Sequence, residues 1–211
     1  MTLFSNYNLN EVLNKSLKNI NFTNPTPIQE KSIPLILQGK DILGSAQTGT
    51  GKTAAFCIPI LELLMKSPRG SLLIMIPTRE LAKQVLDVIN SLLGFKSSIN
   101  TATLIGGESM SKQLSELKKR PRIYVGTPGR INDHLQRGTL NLHDTKYLVL
   151  DETDRMLDMG FEVQINKIIK YLPVSKQVFM FSATIPNNIL KLSSKYLIDP
   201  VRISVGESNT V

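Results

Sequence analysis

The run Ala46-Gln47-Thr48-Gly49-Thr50-Gly51-Lys52-Thr53 constrains this chain more than any other. Its glycines let the backbone fold into a tight nest whose N–H groups converge where phosphate oxygens fit. Lys52 can reach β- and γ-phosphates, and the Thr53 hydroxyl is a ligand type suited to Mg²⁺. Such a loop has meaning only between a strand and a helix. Asp41 to Gly44 supplies a short apolar run before it, and Ala54–Ile58 with Ile60–Leu64 reads as a mostly buried helix after it. That helix adds its positive N-terminal end. Pro59 inside the pattern is expected to kink the helix or divide it in two. Ala46 stands where the strict pattern has its first glycine, and alanine is the smallest change from it.

Strand-like runs recur at 42–43, 72–76, 102–105, 123–125, 147–150, 178–181 and 201–205. Amphipathic stretches fill the gaps at 79–93, 109–119, 129–137, 161–172 and 187–197. Alternation of this kind implies βαβ units, hence an α/β fold with a mainly parallel twisted sheet and helices on both faces. Residues 1–205 read as one domain with an N-terminal helical extension over 1–38, and residues 206–211 read as a polar tail or the start of a linker. In the extension, Asn8-Leu9-Asn10-Glu11 resembles a capping box opening a helix with Val12, Leu13 and Leu17 inward. Thr26, Pro27 and Gln29 suit the N-cap, N1 and N3 positions of a second helix, so Gln29 has a complete structural explanation as a capping residue.

At 41% hydrophobic and 20% charged, the 211 residues have an ordinary globular composition. No window approaches the ~18 consecutive apolar residues of a membrane span. No secretory signal is visible at the start, and a lone Cys57, read as a small buried hydrophobe, fits a reducing compartment. A net charge of +8 admits a polyanionic partner without requiring one. The basic run Lys118-Lys119-Arg120-Pro121-Arg122 reads as the solvated end of a helix, with backbone contact as the alternative. Neither His134 nor His143 has metal-ligand spacing, so surface or helix roles are expected.

A second chemical centre is the apolar strand Tyr147 to Leu150 ending in Asp151-Glu152. In a parallel sheet it ends at the same edge as the loop, where ligands bind. Asp151 can hold Mg²⁺ and Glu152 can orient or deprotonate an attacking water. A pair of helix-capping acids is the plainer alternative. Ser182-Ala183-Thr184 follows the next strand; alone it is a common helix cap.

Taken together these elements resemble the DEAD-box family of ATP-dependent RNA helicases, and the compact N-terminus without a targeting segment looks more like a bacterial cytosolic member. The ordered match comprises Phe22-x-x-Pro25-Thr26-Pro27-Ile28-Gln29 with upstream Phe4, the loop Ala46 to Thr53, Pro77-Thr78-Arg79-Glu80-Leu81, Gly106-Gly107, Thr127-Pro128-Gly129-Arg130, Asp151-Glu152-Thr153-Asp154 and Ser182-Ala183-Thr184. The resemblance implies the first of two RecA-like domains, with ATP and Mg²⁺ as cofactors and RNA as a partner read through its backbone. It implies that Phe22 stacks on adenine, with Phe4 and Pro27 beside it, and that Gln29 bonds the adenine edge. It assigns phosphate binding to Ala46, Gln47, Thr48, Gly49, Thr50, Gly51, Lys52 and Thr53. Thr53 and Asp151 would hold the metal, with Lys52, Asp151 and Glu152 catalytic. Asp154 would link to Ser182 and Thr184, coupling nucleotide to RNA. Pro77, Thr78, Arg79, Gly106, Gly107, Thr127, Pro128, Gly129 and Arg130 would meet the RNA. The residues alone would make Thr127-Pro128-Gly129-Arg130 a turn.

Two positions depart from the family pattern. Thr153 replaces the alanine that names it, with a modest packing effect expected, and Asn21 stands where glycine commonly precedes the aromatic. The resemblance also implies a second domain in cis carrying arginine fingers, without which activity is weak. It points to a cytoplasmic monomer without membrane contact. Alternatives are another P-loop NTPase, such as a nucleotide kinase or a DNA translocase, and a catalytically weak RNA-binding scaffold.

Overall fold

The computed structural model describes residues 3–94 and 97–205; the expected tail over 206–211 lies outside them. After a 3₁₀ turn at Phe4–Tyr7, the elements run α1 (Glu11–Asn19), α2 (Pro27–Leu37), β1 (Ile42–Ala46), α3 (Lys52–Lys66), β2 (Ser71–Met75) and α4 (Arg79–Leu93). They continue with β3 (Thr101–Leu104), α5 (Met110–Lys118), β4 (Ile123–Gly126), α6 (Pro128–Gln136) and β5 (Thr145–Leu150). Last come α7 (Thr153–Asp158), α8 (Glu162–Ile169), β6 (Gln177–Ser182), α9 (Asn187–Tyr196) and β7 (Val201–Val205). Among the described residues seven strands form one sheet in the order β3-β4-β2-β5-β6-β1-β7, and every pairing is parallel.

Parallel strands buried on both faces must alternate apolar side chains between two cores. They do so here. Ile42, Leu72, Ile74, Ile123, Val125, Val149, Phe179 and Phe181 join the core that α1 to α4 cover. Leu43, Leu73, Met75, Tyr124, Leu148, Leu150, Val178 and Met180 join the opposite core, under α6 to α9. The sheet's carboxyl edge is thereby held rigidly from both sides, and six of the seven strands end there in a polar loop.

Several local expectations change. Helix α3 runs unbroken through Pro59 and is not divided. The missing proline N–H costs one intrahelical bond, but Phe56 to Leu61 are all buried and hold the helix together. The N-cap of α1 is Asn10, whose side chain accepts from Val12 N–H at 2.9 Å, while Asn8 is left-handed and ends the 3₁₀ turn. The helix phase therefore turns Val12 outward; Leu13 and Leu17 are buried as expected. Its start is fixed to α3 by the buried Glu62, whose Oε2 accepts from Asn10 N–H. Arg122 does not belong to a solvated basic run. Its guanidinium donates to the carbonyls of Gly70 (2.8 Å), Leu64 (3.1 Å), Ser67 (2.9 Å) and Arg69 (3.2 Å), closing the C-terminal end of α3.

Candidate functional site

The strand order sorts the polar loops into two neighbouring groups. Strands β5, β6 and β1 lie side by side and end in Asp151-Glu152, Ser182-Ala183-Thr184 and the glycine-rich loop. Strands β3, β4 and β2 lie side by side and end before Gly106-Gly107, Thr127-Pro128-Gly129-Arg130 and Pro77-Thr78-Arg79.

In the first group, Ala46 closes β1 in register with Val205, so the alanine serves as a strand residue. Gln47 and Thr48 are exposed, and the Thr50 hydroxyl donates to the Gln47 carbonyl at 2.7 Å. Gly49 (φ 85°) and Gly51 (φ 91°) are left-handed, which turns the chain into α3. Gly51 has a second reason to be glycine, since a Cβ there would stand 2.5 Å from Gln29 Nε2. Lys52 is buried and donates to the Ala46 carbonyl at 2.7 Å, folding its ammonium group back across the loop. Thr53 follows in the first turn of α3.

Gln29 connects this loop to the N-terminal extension. Its Oε1 accepts from Thr26 N–H at 2.9 Å and its Nε2 donates to the Gly51 carbonyl at 3.1 Å, two bonds that fix which way the amide points. Pro27 occupies N1 of α2. Phe22 keeps 37% of its surface and stacks on the buried Phe4, with centroids 6.1 Å apart. Phe4 therefore backs the Phe22 ring from within the core. Asn21 adopts φ 57°, a left-handed conformation that asparagine tolerates, so it can stand where a glycine commonly does.

Asp151 is buried, and burial pushes its pKa up to about 6 against the opposing pull of the Lys52 charge. Its Oδ1 accepts from Glu152 N–H at 2.9 Å, while Oδ2 takes no hydrogen bond from the described residues. Glu152 has φ 51°, a left-handed backbone that costs a non-glycine residue roughly 1 kcal/mol or more, and its carboxylate pairs with Arg155 at 3.3 Å. Asp154 Oδ2 accepts from the N–H groups of Ala183 (3.1 Å) and Thr184 (3.2 Å) and from the Thr184 hydroxyl (3.3 Å). Asp154 N–H in turn donates to Ser182 Oγ at 3.3 Å. The acidic loop and the serine–threonine loop are thus one hydrogen-bonded unit. Among the described residues no cluster of three or more His, Cys, Asp or Glu forms an all-protein metal cage.

In the second group, Thr78 and Thr127 are the N-caps of α4 and α6, so Thr127-Pro128-Gly129-Arg130 opens a helix and is not an isolated turn. The Arg79 guanidinium lies directly over the next turn: a Cβ on Gly107 (φ 74°) would sit 1.9 Å from its Nη1. An open cavity of about 520 Å³ gathers Pro77, Thr78, Arg79, Gly106, Thr127, Gly129 and Arg130, with Glu80, Asp133, Met159 and Phe161 also on its wall.

This edge, with its two adjoining sets of loops, has known counterparts. The chain matches the DEAD/DEAH box helicase family over residues 26–192. The chain belongs to that family. It is 45% identical over 206 residues to the DEAD-box ATP-dependent RNA helicase RhpA of Helicobacter pylori, covering 98% of this chain and 42% of that protein. It is 46% identical over 210 residues to the ATP-dependent RNA helicase CshA of Listeria monocytogenes, covering 98% of this chain and 40% of that protein. The crystal structure of a DEAD box protein from the hyperthermophile Methanococcus jannaschii matches the fold with a TM-score of 0.92 at 43% identity, covering 98% of this chain and 56% of that one. The chain therefore spans less than half the length of these two helicase relatives.

Membership in the DEAD/DEAH box family gives Thr153 its interest. Its side chain is fully buried, and its hydroxyl lies 3.1 Å from both the Leu150 and the Phe181 carbonyls. Beyond the expected packing, it joins the ends of β5 and β6 just ahead of Asp151 and Ser182. His134, expected at the surface or in an ordinary helix role, is also fully enclosed; burial and then the Arg130 charge hold its pKa below the usual value. Cys57 fits its reading as a buried apolar residue, since burial and then Asp151 push its thiol pKa well up.

Proposed function

We propose that this chain is the ATP-binding half of an RNA-remodelling ATPase, and that its activity is expressed by the longer protein of which its relatives are examples. The carrying observation is the hydrogen-bonded unit of Asp154 with Ser182 and Thr184, set between the glycine-rich loop and strands β2 and β4, which lead into the helices bearing Arg79 and Arg130. It stands between a phosphate site and a polyanion site on one sheet edge.

In this reading the loop 46–53 wraps the phosphates with its N–H groups, and the Lys52 ammonium leaves the Ala46 carbonyl for the β- and γ-phosphates. The exposed face of Phe22 takes the adenine, and the remaining N–H and lone pair of Gln29 meet its edge. Asp151 and Thr53 fit a Mg²⁺ ion: the buried carboxylate is short of partners, and Mg²⁺ needs only one or two protein ligands beside phosphates and water. The bound ion would neutralise developing phosphate charge. Glu152 orients or deprotonates the attacking water. Pro77, Thr78, Arg79, Gly106, Gly107, Thr127, Pro128, Gly129 and Arg130 contact one RNA strand through its phosphates and sugars, independently of sequence. Residues 1–205 form one domain; a second RecA-like domain supplies the opposite wall in cis. The protein works as a cytoplasmic monomer. No helix among the described residues is long and apolar enough to cross a membrane.

The test is RNA-stimulated ATP turnover and strand separation by the full-length protein, wild type against Glu152→Gln. A silent wild type would replace this reading with a scaffold. Gln29→Ala should lower ATP affinity relative to GTP, and an unchanged preference would remove Gln29 from adenine selection.

A further inference from the structure

Gln113 and His134 take no part in the chemistry described so far, yet both are completely enclosed. Gln113 is the one buried residue of α5. A helix that buries a single side chain, and that side chain an amide, is anchored by directional bonds as much as by apolar packing. Gln113 Nε2 donates to the Ile105 carbonyl at 2.8 Å, which settles the amide's orientation. Its Oε1 then faces His134 Nε2 at 3.0 Å as an acceptor, so Nε2 carries a hydrogen. His134 Nδ1 lies 2.8 Å from the Thr139 hydroxyl, whose one hydrogen is shared between this ring nitrogen, when the ring is neutral, and the His134 carbonyl at 3.1 Å. The two buried members of this chain, Gln113 and His134, are both hydrogen-bonded, and such a pair specifies one geometry, because displacing it strands a polar atom away from water.

The two ends of this chain are informative. Ile105 immediately precedes the Gly106-Gly107 turn. His134 lies one helical turn beyond Arg130, on the helix that Thr127 caps. Without the brace, α5 and the turn after β3 would be free to shift against α6. The separation between the Gly106-Gly107 N–H groups and the Arg130 guanidinium would then vary.

We propose that His134 and Gln113 are positioning residues of the RNA-side surface, holding the Gly106-Gly107 turn at a fixed distance from Arg130 so that both meet phosphates of the same strand. This rests on the RNA reading given under Proposed function. Neither residue touches RNA, and the brace leaves the glycine-rich loop alone, so its loss separates RNA affinity from ATP affinity.

The experiment uses the full-length protein and measures anisotropy of a labelled single-stranded oligoribonucleotide with a non-hydrolysable ATP analogue present. ATP affinity is measured separately. His134→Leu and Gln113→Leu should each weaken RNA binding about 3- to 30-fold, with ATP affinity within about twofold. Because the two act as one brace, the double variant should be little worse than the poorer single. His134→Gln, which can still donate and accept, should recover most of the loss. Thr139→Val keeps the shape and removes only the hydroxyl; it decides the matter should a leucine variant fail to fold, and a loss of RNA affinity without loss of ATP affinity supports the brace. Unchanged RNA affinity in folded variants, or ATP affinity falling in parallel, overturns it. Arg130→Ala separates the two layers of the argument. If it weakens RNA binding while the brace variants do not, the brace alone is wrong. If it too changes nothing, the RNA-side reading falls and the brace with it.

Discussion

The two halves of the sheet's carboxyl edge solve opposite problems. The half on β5, β6 and β1 is dry: Lys52, Asp151, Thr153, Ser182 and Gln29 are all buried; Lys52 and Asp151 bond within their own loops, and Gln29, Thr153 and Ser182 bond to a neighbouring segment. The half on β3, β4 and β2 is open, with threonines, glycines and arginines around a shallow cavity. Low dielectric strengthens the interactions of a small charged ligand, whereas a long polyanion needs an accessible groove and cations that stay hydrated until contact. The dry half must therefore be prearranged by its own hydrogen bonds, whereas the open half needs only its scaffold held in place.

Breaking the dry half should cost most. Glu152→Gln in the full-length protein is expected to lower ATP turnover about 10²- to 10⁴-fold, the range for removing a general base. RNA affinity, which the proposal assigns to the open half, should stay near wild type in the same preparation. Parallel loss of both would mean that the halves are not separable.

The next effect is on stability. Burial raises the Asp151 pKa in the folded state from the ordinary 3.8 to about 6. Between those values the folded form holds a proton that the unfolded form has released, so stability falls as pH rises through the window. The cost is complete above about pH 6 and absent below about pH 4. Asp151→Asn should therefore stabilise the Mg²⁺-free protein by about 3 kcal/mol near pH 8 and leave it unchanged near pH 3.5. Urea melts at the two pH values check this, and a gain of equal size at both would deny the electrostatic cause.

Arg79 and Arg130 test the open half. Replacing either with alanine should weaken RNA binding by about 1.5–3 kcal/mol, as for a hydrogen bond to a charged group. The salt dependence of binding should drop by about one phosphate contact. ATP affinity measured by titration should not move. Thr153→Ala carries the smallest expected effect, about 1 kcal/mol of stability from lost bonds between strand ends, read as a shift in melting midpoint. A larger loss in RNA-stimulated turnover than in melting would show that the hydroxyl also transmits between the halves.

Much of this was legible in the chain. All seven strands stand where apolar runs predicted them, and α4 matches its amphipathic window from Arg79 to Leu93, because alternation and helical phase report burial directly. Local patterns carry less information about what a side chain meets across the fold. His134 sits on a helix among polar residues, and nothing nearby in sequence announces Gln113, 21 positions earlier. Arg122 follows three basic residues and a proline, so it reads as solvated until the carbonyls of residues 64–70 surround it. Val12 lies about 100° around the helix from Leu13, so burying the Leu13–Leu17 stripe turns it outward, a phase that the local pattern of three apolar residues does not settle. Strand order, which creates the two halves, is set by crossover connections that no single motif records.

The clamp of Arg122 bears on how such a protein can vary in length. A guanidinium surrounded by four carbonyls turns the connection after α3 inside out, with its backbone oxygens facing inward. Turns of that sort at a domain's periphery usually accept extra residues freely. This one cannot lengthen without uncapping the helix that begins at the glycine-rich loop, so insertions should be confined to other junctions, and the far end of α3 becomes a place where chain length itself is under constraint.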